Sequence, residues 1–328
     1  MNNKAYQQAL LNMVAQAVPT FGRVFIKMNS SDTDEENYQR LQETFTPVDG
    51  QPRFYTSLSG VNTAMESNND DVCLIDANST HSQAMLTVDG HRKHFIGMDG
   101  GGRKNSQGSK IFTPATDVAA SIAAILNTGT RNTYRNLKIA QQGTNAAQIN
   151  GFIDTGEGTF MEHCNLDIYS NLTTAEHCAL KFAGDTCHYK SSQIGGSTVK
   201  HDEANQAPFN IHTHAGSTAR YSIFEDLDII QFSTETDASC IKADEAAGVI
   251  GWLKFKDCFL LSANKGDGAT TAGTMAEAVT SSATAGYLYF QHSSSAFATA
   301  FAEAAALIYG DATSPTAGKV GEIMVIAA

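Results

Sequence analysis

Short bursts of alternating apolar and polar residues recur along the middle of the chain. The stretch "NLDI" at 165–168 has near copies in "NLKI" at 136 and "DLDI" at 226, and a looser one in "DCFLL" at 257. Side chains alternate faces along a strand, so Leu166 and Ile168 share one side and Asn165 and Asp167 the other. The steps from Asn136 to Asn165 and from Asp226 to Asp257 are 29 and 31 residues, and the 61-residue interval between them holds a further copy near Gln193-Ile194. A second strand-like piece precedes each copy, as "INGFID", "ALKFAG", "FNIHTH" and "CIKADE". Gly, Asn, Asp, Ser and Thr clusters between these pieces mark turns.

A period near thirty residues with strand content predicts a solenoid in which each period forms one coil, stacked at about 4.8 Å per step. Like positions on successive coils then bury one another, a burial that no single coil achieves. In this reading Leu137, Leu166 and Leu227 form one inward file, and Asn136, Asn165, Asp226 and Asp257 form a column at a bend. Lys138 lies above Asp167 as an opposite-charge pair. The expected fold is all-β, a single-stranded parallel β-helix. Its expected organisation is an N-terminal helix and leader over 1–53, the β-helix over 54–265, and an Ala/Ser/Thr/Gly-rich interaction region over 266–328.

The leader opens with "MNNKAYQQALLNMVAQAVPTFG", which reads as a helix with a polar stripe at Gln8, Asn12 and Gln16, ended by Pro19 and Gly22. It lacks the continuous apolar core of a secretion signal. The C-terminal region carries strand-like pieces ("GYLYFQ", "EIMVIAA") and an expected helix around Phe297 to Leu307. No apolar run reaches the roughly 20 residues of a membrane span.

Charge and cysteine content narrow the partners. A net charge of -12 argues against a nucleic-acid footprint, which needs clustered Lys and Arg. The cluster His91-Arg92-Lys93-His94 reads as a solvated turn. Six scattered cysteines form no framework and no CxxC pair, so free thiols in a reducing compartment are expected.

Few constellations carry chemistry. Asp226 and Asp228 share a strand face at i,i+2, with Asp167 expected in a matching column two coils away, and these three are the candidate acids for polysaccharide cleavage. His212 and His214 in "NIHTHAG" share a face but supply only two ligands of a metal shell. His163-Cys164, His177-Cys178 and Cys187-His188 read as Cys inside and His outside, because neighbours on a strand face opposite sides. Gly100-Gly101-Gly102 lacks the Lys-Ser/Thr ending of a phosphate loop and reads as a tight turn. No cofactor is expected.

The order "FYTSLSGVNTAMESNNDDVCLIDANSTHS" then "MLTVDGHRKHFIGMDGGG" resembles the opening coils of pectin-lyase-like right-handed β-helices. The segment "GRVFIKMNSSDTDEENYQRLQETFTPVDGQPRFYTSL" resembles the leader of β-helical virion proteins of tailed bacteriophages. That resemblance implies a homotrimer on the virion surface, made in the host cytoplasm, that decorates or cements the capsid through the major capsid protein or other virion proteins. From the residues themselves, no enzyme activity, no nucleic-acid partner and no membrane are expected. The alternative that the resemblance carries is a tailspike or fibre that binds host surface glycan and cleaves polysaccharide; a free polysaccharide lyase ranks third.

Overall fold

The computed structural model describes residues 22–28, 53–77, 80–98, 104, 108–114, 121–144, 146–170, 177–196, 199, 206–233, 239–243, 249–263, 272–278, 286–296, 298–302, 307–308 and 321–326, and every structural statement concerns these. The expected N-terminal helix and the Gly100–Gly102 turn lie outside them.

The chain winds as a parallel β-helix with three faces. The first face stacks His94–Gly97, Thr133–Arg135, Phe160–Glu162, His188–Lys190, Ala219–Glu225, Val249–Lys256 and Gly286–Ala296, all parallel. The second stacks Thr80–Ser82, Lys110–Phe112, Lys138–Gln141, Asn165–Ile168, Gln193–Gly195, Asp228–Phe232 and Phe259–Ala263. The third runs from Leu86–Val88 through Ala123–Asn127, Asn150–Asp154, Cys178–Phe182, Phe209–Ile211, Ile241–Ala243 and Ala272–Ala278 to Ala298–Ala302.

Stacking starts early, because Val24–Lys27 pairs with Val72–Ile75 inside the segment expected as leader. Helix α1 (Leu58–Ala64) sits at this end. The Ser57 hydroxyl caps it by accepting from the Gly60 amide at 3.1 Å, and the helix buries Leu58 and Val61. No described helix is long and apolar enough to cross a membrane. At the far end Gly321–Ile326 lies antiparallel to Gly286–Ala296. The helix expected around Phe297 to Leu307 is replaced by strand Ala298–Ala302, where alternate alanines pair with Ala272, Thr274 and Ala276. A further coil that satisfies the sheet edge outweighs the helix propensity of an alanine-rich run.

The repeat is real, but its register differs from the one that the look-alike tetrapeptides imply. Lys138 pairs with Asn165 and Ile139 with Leu166, so "NLKI" and "NLDI" lie two residues out of phase. One inward file is Ile139, Leu166, Ile194, Ile229 and Leu260, all fully buried. Leu137 and Leu227 belong to the position before it, where Cys164 and Cys258 stand on other coils. The bend column is therefore Asn136, His163, Ser191, Asp226, Asp257 and His292, each with φ between 44° and 54°. Successive members join by backbone bonds, such as Asp226 N–H to the Lys256 carbonyl at 2.9 Å. After glycine, Asn and Asp enter this left-handed region at least cost, which explains the recurrence of Asn136, Asp226 and Asp257. Asn165 is instead a strand residue, and His163 takes the corner.

A left-handed corner turns the following amide inward, where water cannot reach it, and a serine on the next coil accepts it. Cys164 N–H donates to Ser192 Oγ at 3.0 Å and Cys258 N–H to Ser293 Oγ at 3.2 Å. At the opposite corner Cys187 N–H donates to Ser222 Oγ at 3.0 Å. These serine hydroxyls in turn donate to the carbonyl two residues back, as Ser222 does to Arg220 at 2.6 Å. The cysteine thiols do the same, as Cys187 Sγ does to the Asp185 carbonyl at 3.3 Å. Ser and Cys here complete the hydrogen bonding of buried backbone.

The first face carries an aromatic file inside and a charge ladder outside. Inside, Tyr189, Phe224, Phe255 and Phe290 follow one another, and Phe255 stacks on Phe224 and Phe290 with centroids 4.8 Å away in each case. Outside, Arg135, Glu162, Lys190, Glu225 and Lys256 alternate in sign down five coils. Arg135 meets Glu162 at 2.9 Å and Lys256 meets Glu225 at 2.6 Å. Such pairing sets the order of coils more than it adds stability, since exposed pairs contribute little.

Candidate functional site

The corner between the first and second faces gathers the polar side chains. Asp226 occupies the left-handed corner position, and Asp228 opens the next strand, so the two carboxylates flank one turn of backbone. Lys104 reaches them from 122 residues upstream, with Nζ 2.7 Å from Asp226 Oδ1 and 3.1 Å from Asp228 Oδ1. Ser191, on the preceding coil of the same column, donates its hydroxyl to Asp226 Oδ2 at 2.8 Å. Burial works to lower the Lys104 pKa, but hydrogen bonds and charge from the two aspartates outweigh it and leave it raised.

The strip continues along the rod. Asp257, next in the column, lies 3.6 Å from Lys256 Nζ and 3.7 Å from His292 Nδ1. The hydrogen bond from Lys256 is the main cause of a lowered Glu225 pKa, and His188 Nε2 stands 3.3 Å from the same carboxylate. Phe259, exposed, pairs in register with Asp228 and gives the strip an apolar neighbour. Alternating acceptors and donors at coil spacing beside an exposed ring suit a hydroxyl-rich extended ligand.

Asp167 stands apart from this group. The column of Asp228 holds Gln193, Asn165 and Lys138, whereas that of Asp167 holds Ala140, Gly195 and Ile230, two residues further along the strand. This corrects the matching column expected from sequence and follows from the same register shift. Asp167 is buried, which raises its pKa, and Lys138 offsets part of that from 3.5 Å. The ion pair runs diagonally, because Lys138 itself pairs with Asn165.

His212 and His214 follow strand Phe209–Ile211 and lie in a turn. His212 Nδ1 is 2.7 Å from the Thr213 carbonyl, and His214 forms an antiparallel bridge with Ser217. The strand alternation that put both on one face therefore does not apply to them. Among the described residues no group of three His, Cys, Asp or Glu is disposed to hold a metal.

All six cysteines are free and buried. Burial pushes the thiols of Cys164, Cys240 and Cys258 up to about 12, so they are poor nucleophiles. His163 sits at the corner and His188 faces outward against Phe160, but His177 is buried with Nε2 3.2 Å from Gln141 Oε1. Cys inside with His outside therefore fails for His177-Cys178, where both residues are buried. The basic tetrapeptide also divides: Lys93 and His94 are buried, with Lys93 Nζ 2.7 Å from the Asn62 carbonyl and His94 against Asp70. It is no solvated turn.

Lys104 and Ser191 are the members of the site that sequence reasoning missed. Nothing near Lys104 in sequence signals that a fold brings it to Asp226.

No protein-family model matches the sequence, and no curated protein matches it. Among solved structures, the pectin methylesterase from Aspergillus niger is similar, with a TM-score of 0.51 at 12% identity over 84% of this chain and 86% of that one. Pectin methylesterase PemA from Erwinia chrysanthemi scores 0.47 at 10% identity over 80% and 72%, and ORF18 of Geobacillus virus E2 scores 0.26 at 8% over 74% and 58%. The fold is a right-handed parallel β-helix, which the Aspergillus niger structure shares; the two lower scores are too weak to bear on it. The expectation of a chain without enzyme activity is corrected by this finding. The Aspergillus niger structure that shares the architecture is an enzyme by name, so a lack of enzyme activity does not follow from stacked coils.

Proposed function

We propose that this chain is a structural protein of a virus particle of the tailed-phage type, bound to the capsid as a homotrimer that decorates and cements it. The observation that carries the reading is the continuity of the rod. Its buried file runs without a break through Ile139, Leu166, Ile194, Ile229 and Leu260, and the outer ladder from Arg135 to Lys256 alternates in sign over the same coils. Parallel coils bonded along their whole length resist local opening, which suits a load-bearing surface protein. The leader resemblance adds the particle and the trimer.

The test is assembly. The purified chain is expected to sediment at three times its 35.0 kDa mass and to bind capsids stripped of it, raising the temperature at which they release their contents. A monomer that leaves stripped capsids unbound contradicts the proposal.

A second reading has one specific observation in its favour, the half-exposed cluster of Lys104, Asp226, Asp228 and Ser191 beside exposed Phe259. It makes the chain a spike or fibre that binds host surface glycan and cleaves it with Asp226 and Asp228. Release of oligosaccharide by the purified chain, abolished in Asp228→Asn, selects this reading over the first.

A further inference from the structure

The corner between the third and first faces, on the side of the rod's early coils, holds a cavity of about 200 Å³ lined by Asn68, His91, Arg92, Thr130 and Arg131. Its lining contains two guanidinium groups, an imidazole, an amide and a hydroxyl, and no carboxylate. In a chain of net charge -12 this is an unusual concentration of donors. We propose that the cavity is an oxyanion-binding site, taking a carboxylate, sulfate or phosphate group.

The backbone arranges these donors. Arg92 and Arg131 occupy successive left-handed corner positions, with φ of 55° and 57°, and the same column continues as Gly158. The Arg92 amide donates to the Thr130 carbonyl at 2.9 Å and the Arg131 amide to the Glu157 carbonyl at 2.6 Å, which holds both corners in place. A side chain in this region is strained where glycine is not, and the strain is retained at these two positions.

The Thr130 amide donates to His91 Nδ1 at 3.0 Å, which leaves the ring proton on Nε2 and makes that nitrogen a donor. The Arg92 guanidinium is shared, since Nε lies 2.9 Å from Asp70 Oδ1 and Nη2 bonds Oδ2. Asp70 also lies 3.3 Å from His94 Nε2, a ring whose pKa burial lowers, so Arg92 is the standing positive charge it faces. Among the described residues the Arg131 side chain has no hydrogen-bond or ion-pair partner. Asp70 thus balances Arg92, and Arg131 supplies the uncompensated charge to which an anion binds.

The site is a property of the corner and does not depend on the role proposed above. Its test is a titration of the full chain with sodium sulfate, sodium phosphate and methyl glucuronate, each against sodium chloride at equal ionic strength, following the Thr130 amide resonance. A saturable shift beyond the chloride control is expected. Arg131→Gly is expected to weaken it about tenfold or more, the loss of one charge-assisted bond, while its melting temperature stays level or rises because glycine suits φ of 57°. Tighter binding of glucuronate than of the inorganic ions identifies the acid group of a saccharide as the source, and the reverse order identifies a free ion. A Thr130 amide that follows only the chloride control overturns the proposal, as does an Arg131→Gly chain that titrates like the parent.

Discussion

Phe255 offers the sharpest perturbation of the stack. Its ring is fully buried, stacked on Phe224 at 4.8 Å and 17° and on Phe290 at 4.8 Å and 16°, with Phe209 a further neighbour at 5.7 Å. Truncation to alanine removes buried ring surface and leaves a gap that neighbouring coils cannot close, because each is fixed by its own parallel hydrogen bonds. Core Phe→Ala changes cost about 3–5 kcal/mol, and the rigid walls place this one in the upper half, about 4–5 kcal/mol. Phe255→Leu keeps most of the burial and loses the stacking, for about 1.5 kcal/mol. A cycle of Phe255→Leu with Phe290→Leu should show a coupling of about 0.5–1.5 kcal/mol. The assay is guanidinium unfolding followed by circular dichroism and by fluorescence of Trp252, the chain's single tryptophan, on the same strand. A Phe255→Ala cost under about 1 kcal/mol refutes the claim that this file is a continuous packed column.

Three further outcomes are expected. Ser222→Ala leaves the buried Cys187 amide without its acceptor and should cost about 1–3 kcal/mol, read from the same unfolding midpoints; Ser222→Thr, which keeps the hydroxyl, should recover part of it. Asp154 is fully buried and accepts from Asn127 at 2.7 Å and from the Tyr189 hydroxyl at 2.7 Å, and burial raises its pKa above the ordinary 3.8 despite these bonds. A raised carboxyl pKa means stability that is full below about pH 4 and is lost as pH rises through the folded value; Asp154→Asn should flatten that slope in melting temperature against pH. At Gly251, φ is 74° and an added Cβ runs into the Tyr221 ring, so Gly251→Ala should cost about 1–3 kcal/mol and shift the emission of Trp252, which packs edge-on to Tyr221 at 5.9 Å.

The alternation of Leu166 and Ile168, or of Leu227 and Ile229, was enough to read strands, inward faces and a coil of about thirty residues. The register was not legible, and the reason is local. Asn136 at a left-handed corner and Asn165 on a strand are the same residue in similar tetrapeptides, and only the pairing of Lys138 with Asn165 tells them apart. Cys164 and Ser192 fill the position that Leu137 and Leu227 fill elsewhere, because that position asks for a group that either packs or bonds a nearby carbonyl. Coil length also varies: from Arg135 to Glu162, Lys190, Glu225 and Lys256 the steps are 27, 28, 35 and 31 residues, which hides the charge ladder from any fixed period. Asp226 and Asp228 were visible as a pair, while Lys104 was not, since it stands 122 residues away from Asp226 and belongs to no repeat. The division of His91-Arg92-Lys93-His94 into buried and cavity-lining members likewise follows from the corner at Arg92.

The account's central claim is the stacking register, and a crystal structure of the full chain tests it most directly. Leu166 should lie beside Ile139 and Ile194, about 4.8 Å from each along the rod, with His163 at the corner under Asn136. A structure that sets Leu166 beside Leu137, or places these residues in separate layers, contradicts the claim.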